Sequence, residues 1–338
     1  MNVAICFNRV PSRLLRGEAA DRLSEEGAEI EALAVHRALE QLGYRPVMLP
    51  LGEELASFIA ALQRIAPDVV FNLCEGFWGD SRKEMHVAAL FELLGIPFTG
   101  ASPLALGLTQ DKVRTKELLL HHRLPTPRYF LANPGEPVAL PGDLAYPLFV
   151  KPRAEDASLG VTAASVVVTA EELRQRIDYI HRTYRQGALV EEYIEGREIN
   201  AAVLGNAPGE ALPLSEIRFS PYLPRAIVSY EGKWQEGSGE YAGTEPVCPA
   251  PLLPEEESLL REVARRACQQ LDCRDYARVD IRLRDGIPYI LEINANPDIS
   301  PDAGLARAAG VAGIAYPHLI DRILQMALQR KEAPHARS

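Results

Sequence analysis

The sequence predicts a mixed α/β protein that opens on a parallel sheet and passes into units of a different texture. Three observations carry this. Strand-like apolar runs alternate with helix-length stretches over roughly the first hundred residues. Prolines then punctuate the chain at 125, 127, 134, 137, 141 and 147. Near the other end, two alternating strands are joined by Asp285-Gly286, a pair suited to the positive φ angles of a tight hairpin.

The elements follow in order. NVAICF (2–7) is a short apolar run and reads as the first strand, not a signal peptide, since no basic start precedes a long apolar core. The stretch 17–42 carries helical spacing at Leu33, Ala34, Arg37, Ala38 and Gln41, and Gly43 stops it. RPVMLPL (45–51) is a second strand, 53–65 a helix, DVVFNL (68–73) a third strand, and 81–94 a helix ended by Gly95. This β-α-β-α-β order implies parallel pairing. Ligands of such sheets sit at the carboxyl ends of the strands, so the loop NLCEGFWGD (72–80) is a candidate site wall.

The texture changes near Pro103. A helix is expected over 109–120, then the proline-rich crossing, a strand PLFVKP (147–152), a loop RAEDASLG (153–160) and a strand VTAASVVV (161–168). A helix at 171–185 and strands ALVEEYI (188–194) and EINAAVLG (198–205) come next. The Gly- and Pro-rich segment 208–254 reads as long loops with short strands. After it come a helix at 255–271, the hairpin strands RVDIRLR (278–284) and IPYILEIN (287–294), and a helix at 314–328. The expected units are 1–102, 103–188 and 189–330, with a polar tail at 331–338.

With 338 residues, 47% apolar and 24% charged, the chain is long enough for two or three domains with a substantial core. Its 36 basic against 46 acidic residues give a net charge of −10, which argues against a nucleic-acid binder that lives on phosphate neutralisation. No apolar run approaches the ~18 residues of a membrane helix. The five cysteines (Cys6, Cys74, Cys248, Cys268, Cys273) are odd in number and form no CxxC, which points to reduced thiols in the cytoplasm, not to disulfides or zinc.

Side-chain alternation places Arg278, Asp280 and Arg282 on one face of their strand, and Glu292 and Asn294 on one face of the next. Paired through the hairpin, Asp280 lies near Glu292 and Asn294. Two carboxylates and an amide oxygen suit Mg²⁺; the competing reading is a solvated face of Arg–Asp pairs. Lys151 emerges from an apolar strand, Lys112 opens a helix, and Lys233 lies in SYEGKW (229–234). Lysines suit phosphate oxygens, although Lys112 and Lys233 taken singly are more often plain surface lysines. No GxxxxGK[ST] follows Lys151, which excludes a P-loop there; the lack of GxGxxG weakens a dinucleotide reading, and no GxSxG elbow is present. LVEEYIEGREI (189–199) supplies Glu191, Glu192 and Glu198, an acidic strand end that suits a base and a ribose, or equally a solvated edge.

GIPFTG, QDKVRTKELL, FVKPRAEDASLGV, LVEEYIEGREI, ARVDIRLR and LEINANP occur in that order over nearly the whole chain. Together they resemble the ATP-grasp enzymes, in their D-alanine–D-alanine ligase-like branch. The resemblance implies an ATP-grasp fold behind an N-terminal Rossmann-like domain, with ATP between two antiparallel sheets. It implies that Lys112 and Lys151 contact the α/β phosphates and that Ser158 and Gly160 lie in a mobile loop over them. Glu191, Glu192, Tyr193 and Ile194 would form the adenine linker, the backbone of Glu192 and Ile194 reading the base, with Glu198 on the ribose and Lys233 near the γ-phosphate. Asp280, Glu292 and Asn294 would hold one or two Mg²⁺, with Mn²⁺ an alternative, and Arg278 would stabilise an acyl phosphate and the tetrahedral oxyanion. The implied reaction joins a carboxylate and an amine, both from amino acids or close relatives, with 153–160 and 208–254 as lids against water. The implied assembly is a homodimer, without nucleic acid or membrane.

Four departures from the family pattern stand out, and one family glutamate has three candidates. Ala157 replaces the first of two adjacent serines, and Trp234 a tyrosine. The glutamate that the first domain contributes is one of Glu26, Glu29 and Glu31. NLCEGFWGDSRKE replaces a histidine-glycine loop, which makes Glu75, Arg82 and Glu84 candidates for reading an amino acid's charges. Asp298 stands where the family has glycine, placed to clamp an ammonium or to disfavour a second carboxylate. The expectation is therefore a ligase with altered substrates. The alternatives are strict D-alanyl-D-alanine synthesis, a non-ligating nucleotide-binding protein, and a kinase that stops at a phosphorylated product.

Overall fold

A computed structural model describes the backbone of residues 1–9, 17–18 and 22–332, with side chains at 1–9, 17–18 and 27–330. Its first unit contains β1 (Asn2–Asn8), α1 (Arg22–Gln41), β2 (Arg45–Leu51), α2 (Leu55–Ile65) and β3 (Val69–Leu73). The strands form a parallel sheet in the order β2-β1-β3, and a parallel bridge from Val70 to Phe98 extends its edge. Residues 3–7 are buried without alternation because this strand is central and covered on both faces.

The helix expected over 81–94 starts as a 3₁₀ turn at Ser81–Lys83, capped by the Asp80 carboxylate, and continues as α3 (Glu84–Leu93). The helix expected over 109–120 is in fact two, α4 (Pro103–Gln110) and α5 (Lys112–His121). Asp111 breaks them apart. Its backbone is extended and its carboxylate accepts the Val113 and Arg114 N–H groups at 3.1 and 3.3 Å, which makes it the N-cap of α5. Lys112 and Lys116 thereby fall one turn apart on one helix face.

The second sheet contains β4 (Tyr129–Ala132), β5 (Leu148–Pro152), β6 (Val166–Val167) and, after α6 (Ala170–Tyr184), β7 (Ala188–Glu192). Its order is β4-β7-β5-β6, all antiparallel. VTAASVVV yields only a two-residue strand, because 163–165 turn into a 3₁₀ helix whose start is tied by Thr162 and Ser165. Since β7 pairs with β4 and β5, residues 189–192 belong to this sheet. The expected boundary at 188/189 therefore moves to the end of that strand.

The third unit contains β8 (Arg197–Leu204), β9 (Glu210–Ala211), β10 (Ser215–Phe219), α7 (Tyr230–Trp234), α8 (Gly239–Ala242), β11 (Thr244–Val247), α9 (Pro254–Gln270), β12 (Tyr276–Arg284), β13 (Ile287–Asn294), α10 (Gly304–Val311) and α11 (Tyr316–Glu332). The strand order is β11-β10-β8-β12-β13, with β9 on β8. Asp285 and Gly286 have φ of 52° and 75°, as a two-residue hairpin of primed type requires. The register sets Asp280 opposite Glu292 and Arg278 opposite Asn294.

Two expectations need correction. The segment 208–254 is not only loop and strand, because it folds the short helices α7 and α8. The terminal helix extends through residues 331–332, which were expected in the tail; the rest of that tail, 333–338, lies outside the described residues. Leu319, Ile320, Ile323 and Leu324 of α11 share a core with Val3, Ile5 and Phe71, so the chain's last helix closes back onto the first sheet. Among the described residues no helix is long and apolar enough to cross a membrane. All five cysteines are free.

Candidate active site

The three units enclose a cleft of about 870 Å³. Of the expected residues, Lys112, Lys151, Ser158, Glu191, Glu192, Tyr193, Ile194, Glu198, Lys233, Arg278, Asp280, Glu292, Asn294, Glu75, Glu84 and Asp298 line it. Gly160 and Arg82 are not among the lining residues.

At one end sit the lysines. Lys112 donates to the Glu155 carbonyl and lies 3.2 Å from Asp156 Oδ1 and 3.7 Å from Glu292 Oε2. Burial alone would lower its pKa, but those carboxylates outweigh burial and hold the ammonium charged. Lys151 Nζ lies 3.0 Å from Glu191 Oε2. The other Glu191 oxygen pairs with Lys116, which also donates to Thr126 Oγ1 at 2.7 Å. Lys116 is 1% exposed and Glu191 2%. Burial raises the Glu191 carboxyl, yet the two ammoniums outweigh it and draw it below its ordinary value; burial brings Lys116 down to about 8. Glu191 was expected in the adenine linker. Its side chain is a buried counter-ion tying Lys151 to α5. Lys116 was not anticipated, although its spacing of four from Lys112 was the available signal.

The Glu192 N–H is donated to the Arg128 carbonyl at 2.8 Å, so it has no amide proton left for a base; its carboxylate pairs with Arg128 and Arg284. Ile194 is buried in the wall. Glu198 meets Arg282 Nη2 at 2.6 Å, where burial raises the carboxyl more than the guanidinium lowers it. Arg282 is a further unanticipated member, legible in the alternation of RVDIRLR. Gly160 has φ +72°, and a Cβ there would meet Pro152 and Tyr184 at 2.8 Å, while Arg176 holds its carbonyl. It is therefore a packed turn of the loop and not a wall of the cleft.

At the hairpin, Asp280 accepts from Asn200 Nδ2 at 2.8 Å and from Arg278 Nε and Nη2 at 2.8 and 2.9 Å. The Arg–Asp pairing that competed with a metal site is thus present, though it faces the cleft and not bulk solvent. It keeps the Arg278 guanidinium firmly charged, outweighing the effect of burial. Across the register, burial would raise Glu292, but Lys112, Lys151, Arg278 and Lys233 pull it down to about 2. Asn294 Oδ1 accepts the Asn296 N–H at 3.0 Å. Among the described residues no group of three or more His, Cys, Asp or Glu is arranged to hold a metal. The expected set is two carboxylates and an amide.

Another part of the lining is acidic. Glu84 is buried and accepts from Asn296 Nδ2 at 3.0 Å; burial, Asp156 and Glu75 push its carboxyl well up. Glu31, also buried, accepts the Ile299 N–H at 2.8 Å, and burial, Asp298 and Glu75 push it up likewise. Of the three candidate glutamates, Glu31 lines the cleft, Glu29 is exposed, and the Glu26 side chain lies outside the described residues. The Glu75 N–H is held by Asn8 Oδ1 at 2.7 Å, and Asp298 Oδ1 accepts the Ser300 N–H at 2.8 Å. Arg82 was expected to read a substrate's charge. It instead forms a bidentate pair with Asp80 at 2.8–2.9 Å on a half-exposed turn, because a residue two positions away supplies its partner.

Two antiparallel sheets closing on a cleft with buried lysines at one end and a carboxylate hairpin beside them define an ATP-grasp fold. Residues 133–325 match the family model described as D-ala D-ala ligase C-terminus. The D-alanine–D-alanine ligase of Desulforudis audaxviator is 33% identical over 88% of this chain and 92% of its own length. An uncharacterised protein of Sinorhizobium fredii, y4sG, is 37% identical over 88% of this chain and 87% of its own. Crystal structures of D-alanine–D-alanine ligase from Bacillus anthracis superpose with a TM-score of 0.79 at 25% identity and, for the complex with ATP, 0.78 at 23%; each covers 98% of this chain and 99% of the other. The chain belongs to the D-alanine–D-alanine ligase family. It is accordingly an ATP-dependent ligase that forms C–N bonds.

Proposed function

We propose that this ligase joins two amino acids, or close relatives of them, through an acyl phosphate, with a nucleotide end that follows its family and a substrate end that does not. The observation that carries the reading is that Lys112, Lys151, Lys233, Arg278 and Glu292 line one cleft, with Lys112 Nζ 3.7 Å from Glu292 Oε2. In this reading Lys112 and Lys151 bind the inner phosphates of ATP, Lys233 the γ-phosphate, Glu198 the ribose, and Tyr193 and Ile194 flank the base. A substrate carboxylate attacks the γ-phosphorus, and an amine then displaces the phosphate from the acyl carbon. Arg278 offsets the negative charge that builds up on the acyl oxygen.

Asp280, Glu292 and Asn294 offer only oxygen donors, and Glu292 is ionised; that chemistry fits Mg²⁺, with Mn²⁺ as a substitute. Bound there, the ion would neutralise charge on the transferred phosphoryl group. Glu75 and Asp298 line the substrate end and suit ammonium groups, while Glu31 and Glu84, whose carboxyls are pushed up, offer hydrogen bonds there. The named relatives favour D-alanine for both substrates; the acid at Asp298 favours a different acceptor. Free thiols fit a cytoplasmic enzyme. A homodimer is part of the same reading; sedimentation of the free chain at the monomer mass would remove that proposal.

ADP release measured against amino acids singly and in pairs tests the reaction. Turnover that needs two substrates and yields an amide supports ligation, whereas a stable phosphorylated product from one substrate supports a kinase. Nucleotide binding without turnover in any pairing supports a non-ligating role. Replacing Asp298 with Gly should shift the preferred acceptor by about tenfold or more in kcat/KM, the value of one lost charged contact, with the KM for ATP nearly unchanged. An identical acceptor profile in the variant would discard the assignment of Asp298.

A further inference from the structure

We infer that Trp234 is a positioning residue of the ligation cycle, whose indole N–H latches the 153–160 loop shut over the cleft. The inference rests on the ligase reading above. The loop leaves β5 after Pro152, the residue following Lys151, while α7 belongs to the third unit, so contacts between them cross the mouth of the cleft.

Three hydrogen bonds make this crossing. Trp234 Nε1 donates to the Ala157 carbonyl at 3.0 Å, Ser158 Oγ to the Val228 carbonyl at 3.1 Å, and the Tyr230 N–H to the Val161 carbonyl at 2.9 Å. Val161, Val166 and Ile227 pack beneath them as a small apolar cluster. Ala157 and Ser158 both hold positive φ, 53° and 60°, a conformation that non-glycine residues keep only where their surroundings hold it. The indole bond falls on the carbonyl of the first of these two residues.

Indole is a donor only, and alanine offers no side-chain acceptor, so the loop is gripped by its backbone. The ring of Trp234 also packs on α1, where a Cβ at Gly27 would meet it at 3.6 Å. One side chain thus touches all three walls. With the N–H removed, the loop opens more often and water reaches the acyl phosphate. Water then takes the place of the amine. The P–O–acyl linkage breaks, the carboxylate is returned and inorganic phosphate leaves, so ATP is consumed without an amide.

Trp234→Phe removes the donor and also the outer indole edge that faces Gly27, keeping one aromatic ring at the position, so Ser158→Ala, which leaves that edge in place, is read beside it. Hydrogen exchange of the backbone amides at 157–161 in the free enzyme should accelerate about fivefold, the value of one neutral hydrogen bond. Phosphate released per amide formed should rise above one, and kcat for amide should fall while the KM for ATP changes little. Ser158→Ala removes a second bond of the same crossing and should accelerate the same amides with Trp234 in place. It serves as the reporter if Trp234→Phe fails to fold. Unchanged exchange at 157–161 in the folded variant, or unchanged stoichiometry in a variant that still forms amide, overturns the latch and leaves the ligase reading standing. If the unsubstituted enzyme forms no amide from any pair, the ligase reading fails, and the exchange measurement alone decides the latch.

Discussion

Glu292→Ala is expected to cut ATP turnover by about 10²–10³-fold, the range seen when one preorganised electrostatic partner of a reacting group is removed, while the unfolding midpoint stays close to that of the unsubstituted enzyme. Four cations converge on this carboxylate and hold it ionised down to about pH 2. Folding survives its loss because Lys112 retains Asp156 at 3.2 Å and the Glu155 carbonyl. Activity does not, because the proposed cation set keeps only one carboxylate, Asp280, whose charge is shared with Arg278, and the amide oxygen of Asn294. Steady-state turnover with Mg-ATP and a productive substrate pair checks this; undiminished turnover removes Glu292 from the phosphate and metal set. Glu292 should also contribute no acid limb to the pH–rate profile between pH 4 and 8, since it does not titrate there.

The second large effect is on stability. Glu191→Gln leaves Lys116 buried beside Lys151 without its paired carboxylate, and breaking a buried pair by removing one partner costs about 3–5 kcal/mol. Denaturant unfolding should show this as a large fall in the midpoint. Adding Lys116→Met to Glu191→Gln should recover part of the loss, since the stranded charge goes with it; equal loss in the double variant would contradict the pairing. The pH dependence follows from the same group. The folded-state pKa of Lys116 is about 8, below its ordinary 10.5, so between those values the unfolded chain binds the extra proton and stability rises with pH. The unsubstituted enzyme should gain stability relative to Lys116→Met between pH 8 and 10.5. A difference that is flat over that window would contradict the assignment.

Local patterns were legible where one rule acted alone. Asp285-Gly286 named the hairpin, and side-chain alternation then placed Asp280 against Glu292 in the observed register. Helices α2, α6 and α9 appear within a residue or two of their expected limits, because each has a consistent apolar face. Where two rules competed, the pattern misled. The continuous helical texture of 109–120 hid the capping role of Asp111, and the β-branched run VTAASVVV hid a 3₁₀ turn tied by Thr162 and Ser165. In 208–254 the glycines and prolines concealed α7, whose N-cap is Ser229.

Residue type and order alone were enough to name which groups are present: lysines on apolar elements, a carboxylate pair on a hairpin, and a first domain whose strands run parallel. These are local properties, fixed by periodicity and turn chemistry over a few residues. Which charge answers which was settled by folding. Glu191 faces two buried lysines, Arg82 turns to Asp80, Arg278 holds Asp280, and Trp234 reaches across to Ala157. Partners such as Trp234 and Ala157 lie 77 residues apart in the chain, and no short-range rule reaches that far. A buried charge must find a counter-charge, and the one it finds depends on how three sheets pack around a single cleft.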